Sequence, residues 1–309
     1  MTDTTTNNQH WHILGAGAIG QLWSAYWQQQ GITPTLITRR RPHKNAVSKH
    51  LVTLHSSFNY QYHPCLAEQV SDTITQLLIC TKAQDTYAAF NSVKHRLSDD
   101  ALIIFLQNGL QDERISPKPR QRVFVAITTD GANFDDDNHL IHVGPGTTHI
   151  GRIKYEGSSK NEEQALLSKL PQGLNIQPCN DIKQRQWQKL AINCAINALT
   201  VKYNCRNGQL LTIDQAREEL KRLCREIELI LQSMNVHTSQ NIYSSAVQVA
   251  EITANNISST LQDIRAGRST EIEAFNGFLY RKANKQGIHN PINTALYHYV
   301  KTKEQEDNS

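Results

Sequence analysis

The chain has 309 residues, 39% of them hydrophobic, which is enough to fill two ordinary cores, and it carries a mild net charge of +4. Its basic residues are spread along the sequence, with only Arg39, Arg40 and Arg41 adjacent, which argues against a nucleic-acid partner. No apolar run reaches the roughly 18 to 20 residues that span a bilayer, so no membrane partner is expected either.

The opening stretch MTDTTTNNQH has neither the basic start nor the apolar run of an export signal. The six cysteines (Cys65, Cys80, Cys179, Cys194, Cys205 and Cys224) form no C-x-x-C pair and sit mostly among apolar residues. They read as small core residues of a reducing compartment, the cytoplasm being the expected one.

In chain order, β-rich runs alternate with helical stretches. HWHIL (10 to 14), TPTLIT (33 to 38), QLLICT (76 to 81), ALIIFLQ (101 to 107) and RVFVAIT (122 to 128) are the expected strands of a parallel sheet covered by helices. The pattern between 39 and 70 is poorer, with SFNYQYH read as part of a small hairpin. NHLIHVGPGTTHIGR is expected to give two short strands around a Gly-Pro-Gly turn, added antiparallel to the sheet edge. Near 175 to 185 the character changes. From DIKQRQWQKL onward, helical periodicity dominates and Gly and Pro become sparse. The boundary is placed at about residue 180, giving domains 1–180 and 181–309, and the final KTKEQEDNS is expected to fray.

The first strand runs into Gly15-Ala16-Gly17-Ala18-Ile19-Gly20, the spacing of a dinucleotide-binding loop. The first glycine permits a tight turn, the second lets a pyrophosphate approach the backbone, and the third lets the next helix pack on the strand. The phosphates then face a helix N-terminus, whose free N–H groups favour negative charge. An NAD site usually carries an acidic residue about 20 positions later for the ribose 2′-hydroxyl. Here the sequence is ITRRRP, and Arg39, helped by Arg40 or Arg41, suits a 2′-phosphate, so NADP is the expected cofactor. A solvated basic loop is the competing reading. Lys82 and Asn108 each follow a strand at the edge where ligands bind in open α/β sheets, although Asn108-Gly109 is also an ordinary turn dipeptide.

In the second half, WQKLAINCAINALT read as one helix puts Lys189, Asn193 and Asn197 at i, i+4 and i+8, an arc of about 80°. The rest of its circumference is largely apolar. Asparagine is a poor mid-helix residue, so this stripe reads either as a polar cleft or as a hydrogen-bonded helix contact. Hydride transfer to a carbonyl leaves negative charge on its oxygen. A partly desolvated lysine supplies both a proton and positive charge there, and Lys189 is the expected general acid. Farther on, Thr270 and Glu273 have capping-box spacing, which places Glu271 in the first turn of a helix, where its carboxylate alone is explained by the helix dipole.

GAGAIGQLW, TKAQ, QNG, WQKLAINCAIN, NCRNGQL, NNISSTLQDIRAGRSTEIEAFNGFL and GIHNPIN, in order from about residue 12 to 305, resemble the ketopantoate reductase family. The resemblance implies an α/β Rossmann-type N-terminal domain and an all-α C-terminal domain similar to that of 6-phosphogluconate dehydrogenase, with the site in a cleft between them. It implies NADPH-dependent reduction of 2-dehydropantoate (ketopantoate) to pantoate, on the route to pantothenate and coenzyme A, by a monomer or homodimer. It assigns proton donation to Lys189 and substrate binding to Asn108, Lys189, Asn193, Asn197, Asn207, Asn256, Ile257, Ser258 and Ser259. Cofactor contacts fall on Gly15, Ala16, Gly17, Ala18, Ile19, Gly20, Arg39, Lys82, Asn108, Ala132 and Glu271; no metal is implied. Two positions depart from the family pattern. Ala198 stands where a proline is common, and Asp85 where glutamine is expected. A reductase of another branched 2-oxo acid, or a non-catalytic NADP(H) sensor, are the alternatives.

Overall fold

The structure, a computed structural model, describes residues 10–39, 47–153 and 160–306. It divides into two compact units, Met1–Ile182 and Lys183–Ser309.

The first unit runs β1 (His12–Leu14), α1 (Ala18–Gln28), β2 (Thr35–Thr38), β3 (Val47–Val52), β4 (Ser57–Tyr62), β5 (Pro64–Leu66), β6 (Ile74–Ile79), α2 (Ala83–Val93), β7 (Leu97–Phe105), β8 (Arg122–Thr128), β9 (Gly131–Phe134), β10 (Leu140–Gly144), β11 (Thr148–Arg152), α3 (Lys160–Leu167) and β12 (Ile176–Pro178). Its main sheet has the order β12-β11-β8-β7-β6-β1-β2-β5. The strands from β5 to β8 are all parallel, in the order β5-β2-β1-β6-β7-β8. This is the doubly wound Rossmann order, with the topological switch between β1 and β6. Successive strand residues face opposite sides, so Ile13, Leu36 and Leu78 join one core while Leu14, Ile37 and Leu77 join the other. On the first side α1 contributes Leu22, Trp23 and Trp27, and Trp27 stacks on Trp11 with ring centroids 4.6 Å apart.

A second sheet, β4-β3-β10-β9, packs against α1. The segment SFNYQYH does lie in a hairpin, β3–β4, within this sheet. The expectation for the Gly-Pro-Gly segment needs correction. β11 joins the main sheet antiparallel to β8, but β10 leaves it to pair with β3 and β9. The parting point is packed too tightly for a simple hairpin turn. A Cβ on Gly146 would lie 2.4 Å from the carbonyl carbon of Thr129, and its N–H donates to the buried Asp130 carboxylate at 2.8 Å. Asp130 also meets His142 Nε2 at 3.0 Å, and Tyr26 Oη meets His142 Nδ1 at 3.2 Å, so one polar chain ties α1 to both sheets.

The second unit is helical: α4 (Ile182–Lys202), which begins one residue before the division, then α5 (Gln209–Thr212), α6 (Asp214–Ser233), α7 (Ile242–Ile252), α8 (Ser259–Arg265), α9 (Asn276–Lys285) and α10 (Pro291–Glu306). α6 buries Ala216, Leu220, Leu223, Ile227, Ile230 and Leu231, the three-and-four spacing of one apolar face. Buried amides hold the other helices in register. Asn276 Nδ2 donates to Cys194 O on α4 and to Asn293 Oδ1 on α10, each at 3.0 Å.

Two further expectations are corrected. The C-terminal tail continues α10 to Glu306, because Lys301–Glu304 and Lys303–Glu306 pair one turn apart; only 307–309 lie outside the described residues. Thr270 and Glu273 do not form a capping box. Thr270 Oγ1 accepts from Ile272 N and donates to Glu304, while Glu273 accepts from Tyr297 Oη at 2.6 Å and pairs with Arg281. The regular helix therefore starts later, at Asn276. No described helix is long and apolar enough to cross a membrane, and all six cysteines are free thiols.

Candidate active site

The loop after β1 has the conformation that its glycines suggest. Gly15 adopts φ +105, and a Cβ there would lie 2.8 Å from Thr81 N at the end of β6. A Cβ on Gly20 would fall 2.2 Å from Gly15 O, so only glycine lets α1 begin this close to β1. At Gly17 the Cβ position is open, with nothing within 4 Å. Ala18 and Ile19 begin α1, and Ala16, with them, is packed against the core as a partly buried residue. The backbone N–H groups of this first turn are the anion-binding end of the helix. These are the features a pyrophosphate requires, so the residues present fit a dinucleotide.

Sequence reasoning missed Gln21. Its buried side chain donates to Ala16 O at 2.7 Å and accepts from Tyr60 Oη at 2.7 Å, fixing the loop from behind. The detectable signal was a glutamine beside Leu22 and Trp23 on a buried face.

Arg39 follows β2, Lys82 is the N-cap residue of α2 after β6, and Asn108 follows β7, so all three stand at the carboxyl edge of the parallel strands with the glycine loop. Arg39 Nη1 lies 3.0 Å from Asp85 Oδ1, in the first turn of α2, and both side chains are exposed. Arg40 and Arg41 lie outside the described residues. Gln107 Nε2 donates to Leu110 O at 2.7 Å and closes the turn that carries Asn108, with Gly109 at φ +75. Ala132 is not at this edge: it lies in β9 of the second sheet, opposite His142 and against the core beneath α1.

In the helical unit, α4 runs unbroken through Ala198, so Lys189, Asn193 and Asn197 do share one face. Desolvation pushes the Lys189 ammonium down to a pKa of about 8, against the opposing pull of the Glu271 carboxylate. Glu271 is itself only 7% exposed and sits in the turn before α9. Asn197 is 6% exposed and Asn193 is half-buried, so both side-chain amides are withdrawn from bulk solvent on the face that carries Lys189. Two such amides on one helix face with a desolvated cation are groups disposed toward a polar ligand.

The 256–259 segment is built onto the same helix. Asn207 N donates to Asn256 O at 3.0 Å, and Asn207 Nδ2 to Thr253 Oγ1 at 2.9 Å, leaving its buried Oδ1 without a partner among the described residues. Ser258 caps α8 by accepting from Leu261 N, and its Oγ lies 2.6 Å from Thr200 Oγ1, which donates to Asn197 O. Since the Thr200 proton is committed to Asn197, the Ser258 proton goes to Thr200, so this hydroxyl acts in positioning α8. Asn256 and Ser259 are exposed and Ile257 is half-buried. A cavity of about 600 Å³ lies at the far end of α4, lined by Lys202, Arg265 and Lys303 among others, and includes none of these residues.

A doubly wound sheet with a glycine loop at its switch point, and a helical unit offering a desolvated lysine, define a dinucleotide-dependent oxidoreductase. Residues 11–155 match the family described as Ketopantoate reductase PanE/ApbA, and 181–304 match Ketopantoate reductase PanE/ApbA C terminal. The chain belongs to the ketopantoate reductase family. It is 35% identical to a 2-dehydropantoate 2-reductase of Shigella flexneri and 34% identical to that of Yersinia pestis, over 297 residues and 95% of each chain. Solved structures share the fold. A PanE/ApbA family ketopantoate reductase from Ralstonia eutropha JMP134 superposes with a TM-score of 0.83 at 23% identity, over 97% of this chain and 100% of that one. D-mandelate dehydrogenase with NADH and anilino(oxo)acetate gives 0.85 at 20% identity, over 97% and 100%. A dimeric ketopantoate reductase from Staphylococcus aureus gives 0.79 at 20%, over 96% and 99%.

Proposed function

We propose that this chain is an NADPH-dependent 2-dehydropantoate 2-reductase, reducing ketopantoate to pantoate on the route to pantothenate and coenzyme A. The observation that carries the reading is the Lys189 ammonium, desolvated to a pKa of about 8 and sharing a helix face with the amides of Asn193 and Asn197. Family membership and the names of its relatives point to the same reaction.

In this reading residues 1–180 bind the cofactor and 181–309 bind the substrate and supply the proton. The turn from Gly15 to Gly20 holds the pyrophosphate on the N-terminus of α1. Arg39 receives the 2′-phosphate, which favours NADPH over NADH. Lys82, Asn108 and Glu271 complete the cofactor contacts, and Ala132, in the second sheet, is not among them. The bound cofactor supplies hydride to the C2 carbonyl of the keto acid. Lys189 donates its proton to the carbonyl oxygen, and near neutral pH its depressed pKa keeps it charged but ready to release that proton. Asn193 and Asn197 orient the substrate's oxygens, with Asn108, Asn207 and the stretch Asn256, Ile257, Ser258 and Ser259 contributing to its pocket. A cytoplasmic site and a homodimer accompany the reading, the latter by analogy with the dimeric relative.

The test is the initial rate of NADPH oxidation by the purified protein with ketopantoate, beside 2-oxoisovalerate, with NADH as the cofactor control. Fast turnover confined to ketopantoate and NADPH is expected. Activity confined to other oxo acids, or none at all, would overturn it.

A further inference from the structure

The amino edge of the main sheet, opposite the glycine loop, carries a cluster that the reductase chemistry does not use. His10 and His12, two residues apart at the start of β1, turn their rings to one side, with centroids 4.7 Å apart. Asp72, in the turn leading into β6, faces them, and one ligand atom from each of the three lies within 4.8 Å of the other two. His12 is the unusual member. Its side chain is 2% exposed, and among the described residues neither ring nitrogen has a hydrogen bond. Its Nε2 is 3.4 Å from Asp72 Oδ2 without the alignment of a hydrogen bond. A buried imidazole that makes no hydrogen bond is costly and asks for a reason.

The geometry points to a metal site: His10, His12 and Asp72 bind a late first-row divalent cation of the Zn²⁺ type. Zinc bonds of about 2.0–2.1 Å at tetrahedral angles put neighbouring ligand atoms about 3.4 Å apart, the separation found between His12 Nε2 and Asp72 Oδ2. Imidazole nitrogen with a single carboxylate selects such an ion over Ca²⁺ or Mg²⁺, which take mainly oxygen ligands. His12 provides a rigid anchor, while Asp72 is exposed and His10 half-buried, so both can close the remaining distance. Thr35 Oγ1, 3.0 Å from His10 Nε2, orients the second ring. With three protein ligands, a fourth position remains for water. The ion would tie the start of β1 to the turn before β6 and act as a clip on the sheet, separate from catalysis.

The experiment is calorimetric titration of chelator-treated protein with Zn²⁺, on the wild type and on His10→Gln, Asp72→Asn and, as a control at another histidine that lies beside carboxylates, with Asp135 and Asp137, His139→Gln. Reductase activity of each variant serves as the folding check, and Co²⁺ absorption reports the coordination geometry. Expected are one Zn²⁺ per chain, at least about tenfold weaker binding in His10→Gln and in Asp72→Asn, unchanged binding in His139→Gln, and no binding of Ca²⁺ or Mg²⁺. Absence of Zn²⁺ binding by the wild type, or binding that His10→Gln and Asp72→Asn leave unchanged, would overturn the proposal.

Discussion

The Glu271 carboxylate, buried in the turn before α9, acts on the Lys189 ammonium of α4 against the desolvation that depresses its pKa to about 8. The proton donor must be in its acid form. The log of kcat/KM for ketopantoate is therefore expected to be flat on the acid side of this pKa and to fall with a slope of about one per pH unit above it. A pH–rate profile with NADPH saturating checks this; no decline between pH ~7 and ~10 would contradict it.

Replacing Glu271 with Gln removes the negative charge that raises the Lys189 pKa. Glu271→Gln should move the falling limb of the profile to lower pH, leaving less charged lysine at neutral pH. A variant that merely lost packing would show a lower rate with the limb in its original place.

Asn197 is buried on the α4 face that it shares with Lys189. As a substrate contact its amide serves the ligand rather than the fold, so Asn197→Ala should change thermal stability little and raise KM for the keto acid by about tenfold, the loss of one to two good hydrogen bonds. A large drop in melting temperature with unchanged KM would show that the amide serves the fold instead.

Asp85 holds Arg39, the residue proposed to receive the 2′-phosphate, at 3.0 Å. Because both side chains are exposed, the pair contributes about 1 kcal/mol or less to stability. Asp85→Asn frees the guanidinium and removes a negative charge from the phosphate's surroundings. NADPH affinity should rise by about threefold with NADH affinity unchanged, measured by cofactor titration. An equal change for both cofactors would place Asp85 away from the 2′-position.

The buried Asp130–His142 contact predicts an acid-sensitive fold. Burial works against the Asp130 charge, but hydrogen bonds from His142, Thr128 and Gly146 N outweigh it and hold the carboxyl below the usual carboxylate range. Its stabilisation is present above the unfolded-state pKa and is lost as pH falls through the lower, folded one. Asp130→Asn should cost about 3 kcal/mol near neutral pH and flatten the acid limb of the stability profile. Denaturant unfolding at several pH values tests both effects.

Five of the six strands in the parallel block were legible because each is a short apolar run ended by turn residues, whereas the three-residue β5 was not; the glycine loop was legible because its spacing has a steric reason that Gly15 and Gly20 obey. The α4 stripe was legible from helical geometry alone. The second sheet was not: β10 and β11 look like one hairpin, and what separates them is tertiary, the crowding of Gly146 against Thr129 and its bond to Asp130. Glu273 misled for a similar reason. Its spacing from Thr270 suits a cap, but Arg281 and the more distant Tyr297 compete for the carboxylate and win. For Ser258 a substrate contact was implied only by the family resemblance, and the structure reveals its hydroxyl engaged with Leu261 and Thr200.

The central claim, that Lys189 gives the proton while other residues hold the cofactor, is tested most directly by measuring ketopantoate turnover and NADPH affinity side by side in Lys189→Ala. The account predicts kcat lowered about 10²- to 10⁴-fold with the Kd for NADPH within about twofold of wild type. Turnover close to that of the wild type would contradict it.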